Sequence, residues 1–358
     1  MRWAQGRGAA AVAADPRSLA RAWLWLTVAL TLGALLGAVL LAPAAGSPPG
    51  RALVWLLFTG SSAHVASTAW FYTLPEIRGY ARRHRTRYLW IPVALMTGAG
   101  AISSMLAPPV MQWCLLPYFG WQFFHFQKQN LSLAALAASA LRAASPRPAE
   151  RGALMIAGLA GIAGLLSRPW LLQLTVRPAA GLLHPAAAIA FAAAAAGGLA
   201  ALARRPPPQR PAGFCVTYAV SLSFWLPVFV FSSPYAAVAG MTIAHGLQYL
   251  VLTGLVAAGG EHAAGRPASL VMLASAALAG GAILAGASHL HSSGPVLRCI
   301  FGVYLGAVMS HFVIDAGLWR LRDEFPRAFL ASRVPYLVRT GGTRPGITAT
   351  DRSPDDIP

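Results

Sequence analysis

Five ionisable side chains stand in stretches that are otherwise apolar. His64, His125, His245 and His311 each occupy a different stretch, and Asp315 follows His311 by four residues. A titratable group inside a bilayer is costly, and by default it marks a functional site. Imidazole ligates iron, copper and zinc. Four histidines, or three with a carboxylate, make up most of a coordination shell. The four are therefore expected to hold one interior metal ion. Iron is the leading candidate, with copper, zinc or haem iron as alternatives. At a spacing of four on a helix His311 and Asp315 share a face. Asp315 is then either a further ligand or the group that orients His311.

Other polar residues bracket these positions. Gln129 follows His125 by four, Gln248 and Tyr249 follow His245 by three and four, and Ser61, Ser62, Ser67 and Thr68 flank His64. Asp315, Tyr249 and Gln129 form the candidate catalytic set, as ligand-orienting groups or substrate contacts. A plainer reading exists for each histidine taken alone, as a hydrogen-bonding bridge between helices. Asp315 has an alternative too, pairing with Arg320 or Arg322. His84 falls in an Arg-rich connection, His184 precedes Pro185 at a helix end, and His262 sits in a loop. His289 and His291 make an isolated HxH in an outer loop, too few ligands to define a site.

The elements that must position these side chains are membrane helices. The chain of 358 residues is 56% hydrophobic and 11% charged, against about a quarter charged in soluble domains, and its mean hydropathy is +0.57. The expected class is an all-α polytopic bundle. Its net charge of +18 does not imply nucleic-acid binding, because the arginines concentrate in the short segments between apolar runs. Ten segments approach the roughly 20 residues a crossing needs: 20–42, 52–74, 88–107, 109–127, 152–167, 180–203, 213–232, 235–258, 268–287 and 295–320. Pro117 interrupts the fourth, which predicts a kink or a following interfacial helix. With the N-terminus inside, Arg78 to Arg87, Lys128 to Arg151, Arg204 to Arg210, Arg266 and the tail all lie on the cytoplasmic side, as the positive-inside bias requires. This is the pattern of a multi-pass protein of a bacterial-type inner or plasma membrane with both termini cytoplasmic.

The run from Ala22 to Leu41 exceeds a signal-peptide core of roughly 7–15 residues and is read as a retained first helix. Residues 1–339 read as one transmembrane domain, and 340–358 as a disordered tail rich in Gly, Pro, Thr and Asp. Cys114, Cys215 and Cys299 are widely spaced and read as buried reduced thiols. Under this topology the four histidines fall on the second, fourth, eighth and tenth helices, all in the middle or cytoplasmic half of the membrane. Asp315 lies one turn further in.

One histidine per helix differs from the clustered histidine boxes of membrane fatty-acid desaturases and from the paired spacing of a cytochrome b. The dispersed pattern of His64, His125, His245 and His311 resembles the Brp/Blh carotenoid-cleaving membrane oxygenases, in which histidines from separate helices hold one iron. The resemblance lies in that pattern and covers no continuous motif. It implies a membrane oxygenase or oxidoreductase acting on a lipophilic small molecule that arrives from the membrane lipids. The residues alone also admit a proton, metal-ion or solute transporter using the same histidines, or a haem-bearing electron carrier.

Overall fold

The computed structural model describes residues 15–178, 181–259 and 266–338, and all regular structure within them is helical. The chain up to residue 14, His262 and the tail from 339 onward lie outside the described residues. Helix α1 (Pro16–Leu40) begins at Asp15, whose carboxylate accepts the Arg17 amide. Helix α2 (51–73) is composite. A straight turn Arg51–Phe58 widens into a π turn at Thr59–Ala63, returns to α geometry at His64–Ser67 and tightens to 3₁₀ at Thr68–Thr73. The short α3 (Pro75–Arg83) leads into α4 (Thr86–Met105), followed by α5 (Pro108–Ala140) and α6 (Pro148–Leu166). Next come α7 (Leu183–Ala203), α8 (Ala212–Leu222) and the single turn α9 (Leu226–Val230). The chain closes with α10 (Tyr235–Ala258), α11 (Arg266–Ser292), α12 (Pro295–Leu318) and the polar α13 (Glu324–Arg333).

Among the described residues seven helices are long and apolar enough to cross a membrane: α1, α4, α6, α7, α10, α11 and α12. The other three expected segments differ for visible reasons. Segment 52–74 is helical but broken into π, α and 3₁₀ pieces around His64. Segment 109–127 is the first part of the 33-residue α5, which passes through Pro117 and continues across Gln127, Lys128, Gln129 and Asn130. Segment 213–232 divides at Ser223 into α8 and α9.

Small residues let the helices approach closely, as expected where apolar burial alone gives no preference between helix and lipid. α12 lies along α4 with Gly302 against the Ala99 backbone and Gly306 against Leu95 and Met96. The crossing that matters most for the interior is α2 over α10. A Cβ at Gly60 would stand 2.5 Å from the Cα of Ile243, and one at Gly246 would collide with the backbone of Gly60. These two glycines flank the histidine positions: Gly60 precedes His64 by one turn, and Gly246 adjoins His245.

A second fixed point lies at the ends of α6 and α7. Glu150 and Arg205 are both buried and pair in a fork, with Nε to Oε1 at 2.6 Å and Nη2 to Oε2 at 2.5 Å. Arg205 also donates to the carbonyls of Ala144 and Ser145, and Glu150 accepts the Arg147 amide at 2.8 Å. One of the loop cations assigned to the cytoplasmic side is therefore a buried clamp that joins two interhelical connections. The three cysteines are free, as expected, but Cys114 is exposed and Cys215 and Cys299 are half-buried. Cys299 lies in the close α4–α12 contact beside Gly100, and Cys215 packs against the core.

Two stability outcomes follow. Gly246→Ala should lower the melting temperature in detergent, by an overpacking penalty of about 1–3 kcal/mol. Gly33→Ala, where nothing lies within 4 Å, should leave it unchanged or raise it. Arg205→Met should destabilise by about 3–5 kcal/mol, because it leaves the Glu150 carboxylate buried without its partner.

Candidate metal centre

The crossing of α2 over α10 presents His64 and His245 to each other, and α5 and α12 bring His125 and His311 into the same space. The four rings close a circuit. Ring centroids are 5.0 Å apart for His64–His245, 5.0 Å for His64–His311, 5.0 Å for His125–His245 and 5.1 Å for His125–His311, each pair edge to face. All four rings are buried, with His125 the most accessible at 9%. Two aromatic stacks hold the ring planes: Phe126 on His245 at 4.0 Å and Phe312 on His125 at 4.6 Å.

Asp315 completes the group. Its Oδ2 lies 3.5 Å from His311 Nε2 and 3.8 Å from His125 Nε2. Neither Arg320 nor Arg322 takes it; both face Asp323 instead. The other carboxylate oxygen accepts from the Tyr249 hydroxyl at 3.1 Å. Thr68 Oγ1 stands 3.1 Å from that hydroxyl and 2.7 Å from His311 Nδ1. Each hydroxyl has one proton, so this chain has a direction. Tyr249 donates to Asp315 and so accepts from Thr68. Thr68 then accepts from His311 Nδ1–H, which leaves the lone pair of His311 on Nε2, the nitrogen that faces Asp315.

The ring nitrogens on the inside of the circuit have no protein partners. Neither nitrogen of His245 makes a hydrogen bond, and those of His64 face the Gly60 and Ser61 carbonyls without hydrogen-bond geometry. His125 Nε2 and His311 Nε2 are likewise unpaired. A buried polar atom left unsatisfied costs about 1–3 kcal/mol. Protein hydrogen bonds leave most of these nitrogens free, and a cation could take them. His64, His245 and His311 offer ligand atoms that all lie within 4.8 Å of one another, and so do His125, His311 and Asp315. The two sets share His311. This buried group can hold a metal ion.

Beside the group lies a cavity of about 630 Å³. His125, Asp315, Tyr249 and Gln129 line it, whereas His64 and His245 do not. Gln129 does not touch a histidine ring. Its amide donates to the His245 carbonyl at 3.0 Å and to Gln248 at 2.7 Å, and Gln248 in turn donates to Thr31 on α1. Gln129 is thus both a cavity wall and a tie between α5 and α10. Trp121 and Trp319 also line the cavity. Trp225 is buried elsewhere and donates to Gln127 at 2.8 Å.

The remaining histidines stand apart. His84 is exposed beside the Tyr80 carbonyl, His184 lies against the Gly164 carbonyl, and His289 and His291 are exposed. Thr68 is the residue whose importance sequence reasoning missed. It appeared only as one of four hydroxyls near His64. Its position four residues after His64, on the same helical face, was the available signal.

Thr68→Val keeps the shape but removes the acceptor that sets the His311 tautomer. Metal affinity, read by competition with a chromophoric chelator, should fall about 10–100-fold, and Thr68→Ser should restore it.

No family model, curated protein or solved structure matches this chain.

Proposed function

We propose that the protein is an integral membrane metalloenzyme that oxidises a lipophilic substrate at this multi-histidine site, with non-haem iron as the metal. The observation that carries this reading is the set His125, His311 and Asp315, two imidazoles and one carboxylate beside a cavity. That donor combination with open positions is characteristic of non-haem iron oxygenases. The tightly packed circuit of rings favours a bare ion over a haem, whose macrocycle would have to separate its two axial histidines.

The chain's own residues would divide the work. His64, His245 and His311 would hold the ion from the buried side. His125 and Asp315 would face the substrate. Thr68 and Tyr249 would fix the orientation of His311 and Asp315, leaving Asp315 Oδ2, which faces His125 and His311, as the carboxylate ligand atom. Trp121, Phe124 and Phe312 would bind the apolar part of the substrate and keep water from it. Bound iron would supply dioxygen activation and one-electron chemistry. The same reading places ten crossings in a bacterial-type inner membrane with both termini cytoplasmic. This orientation follows the arginine distribution, and α2, α5 and the α8–α9 pair serve as the interrupted crossings.

Elemental analysis of the purified full-length protein should find iron at a level near one atom per chain or above, with no Soret band in the optical spectrum. His311→Ala, which removes the ligand common to both sets, should lose the metal and lower the melting temperature. Chelation of the wild type should lower it by a similar amount. Metal-free protein whose stability is indifferent to chelator and to His311→Ala would overturn the proposal, and a Soret band would replace it with a haem site.

A further inference from the structure

The cavity has two chemically different ends. On α5 the lining residues run Trp121, Phe124, His125 and Lys128 and continue beyond the cation to Leu133 and Leu136; on α12 they run Phe312 and Asp315, followed just past the helix end by Trp319 and Arg320. The two helices run in the same direction there, because Trp121 meets Phe312 edge-on at 5.7 Å and, one turn later on both, His125 Nε2 lies 3.8 Å from Asp315 Oδ2. Both therefore carry an aromatic before the ligand position and a cation after it, with Trp319 beside Arg320. Arg87, at the start of the antiparallel α4, and Arg322 bring two more cations to the same end. Lys128 is one helical turn beyond His125, about 4.5 Å along the axis, and Arg320 is five residues beyond Asp315.

The cations at this end are not balanced by acids. Arg320 and Arg322 share the single carboxylate of Asp323 at 3.7 Å and 3.9 Å. Among the described residues neither Arg87 nor Lys128 lies within ion-pair distance of any carboxylate. Asp315, the one acid in the lining, is engaged with Tyr249 and the histidines. At the other end Trp121 and Phe124 are each 37% exposed, so the aromatic wall opens toward the surrounding lipid. A neutral hydrocarbon would fill the aromatic end and leave the cationic end unused. A small hydrophilic anion would do the reverse.

We propose that the cavity binds a long-chain amphiphile with an anionic head, a carboxylate or a phosphate, whose head sits among Lys128, Arg87 and Arg320 and whose chain runs past His125 along Trp121, Phe124 and Phe312. The inference deepens the reading of the cavity as the substrate site of the metal centre and names the substrate class. Guanidinium and ammonium groups recognise carboxylate and phosphate through charge-assisted hydrogen bonds. Holding the head at that end places the carbons nearest the head, rather than the far end of the chain, opposite His125 and Asp315.

The test uses the full-length protein in phosphatidylcholine nanodiscs, with binding of oleate, oleyl phosphate, methyl oleate and acetate compared. Oleate and oleyl phosphate should bind at least about tenfold more tightly than methyl oleate, as expected for a charged head with desolvated partners, and acetate should not compete. Lys128→Gln combined with Arg320→Gln should abolish that preference while leaving methyl oleate binding and metal content unchanged. Replacing part of the phosphatidylcholine by phosphatidylglycerol separates the two sources of such a head. Displacement of oleate by the lipid assigns the site to a bilayer phospholipid, and no displacement assigns it to a single-chain acid; both support the proposal. Equal affinity for acid and ester, or a preference that survives the double variant, overturns it. Metal content in the same samples keeps the two readings apart. A charged-head preference without bound metal would reject the metalloenzyme and keep the amphiphile site, and metal without the preference would do the opposite.

Discussion

Backbone contact between Gly60 and Gly246 sets the distance between α2 and α10, and the rest of the interior follows from that distance. With side chains at both positions the helices would separate, and His64 and His245 would no longer meet edge to face. The π turn that carries Gly60 belongs to the same device, since the extra residue in a π turn shifts the helical face on which His64 emerges. α5 and α12 then close the circuit from the other side. Their aromatic residues Phe126 and Phe312 press flat against two of the rings.

Electrostatics favours a cation at the centre. Four imidazoles and a carboxylate are gathered in a buried space with most of their ring nitrogens unpaired, while His311 Nδ1 and Asp315 Oδ1 are bound to neighbours. The outward bonds run through Thr68 and Tyr249, two hydroxyls from two helices, and have one consistent direction. A cluster built for packing alone would satisfy its polar atoms or lack them. The contrast with Glu150 and Arg205 is instructive. That pair is just as buried, yet nearly every donor and acceptor is used. One polar cluster is complete as a clamp, and the other has free ligand atoms that could hold a metal ion.

The cavity extends the same logic outward. It touches the histidine group on the His125 and Asp315 side only, so a substrate meets one face of the site while the opposite face stays sealed by α2 and α10. Its aromatic end and its cationic end belong to successive turns of the same two helices.

The amino-acid sequence by itself determined the class of the molecule and the identity of its unusual residues. Long apolar runs require helices in a bilayer, where every backbone group must be satisfied within its own segment. The expense of an ionisable group in such a run singled out His64, His125, His245, His311 and Asp315 before any contact was known. Periodicity could also pair His311 with Asp315, because one helix fixes that spacing. Tertiary structure decided whether four separate helices meet, since side chains 61 to 247 residues apart in the chain have no local reason to touch. It decided that Asp315 turns to Tyr249 and the histidines rather than to Arg320, and that Gln129 braces a carbonyl rather than a ring. It also decided that Arg205 is buried. Hydropathy averages a segment and cannot register the π turn in α2 or the break between α8 and α9, where a few polar residues and prolines reshape the backbone. Those irregular stretches are local departures from helix geometry, and in α2 the departure is what carries His64 into the site.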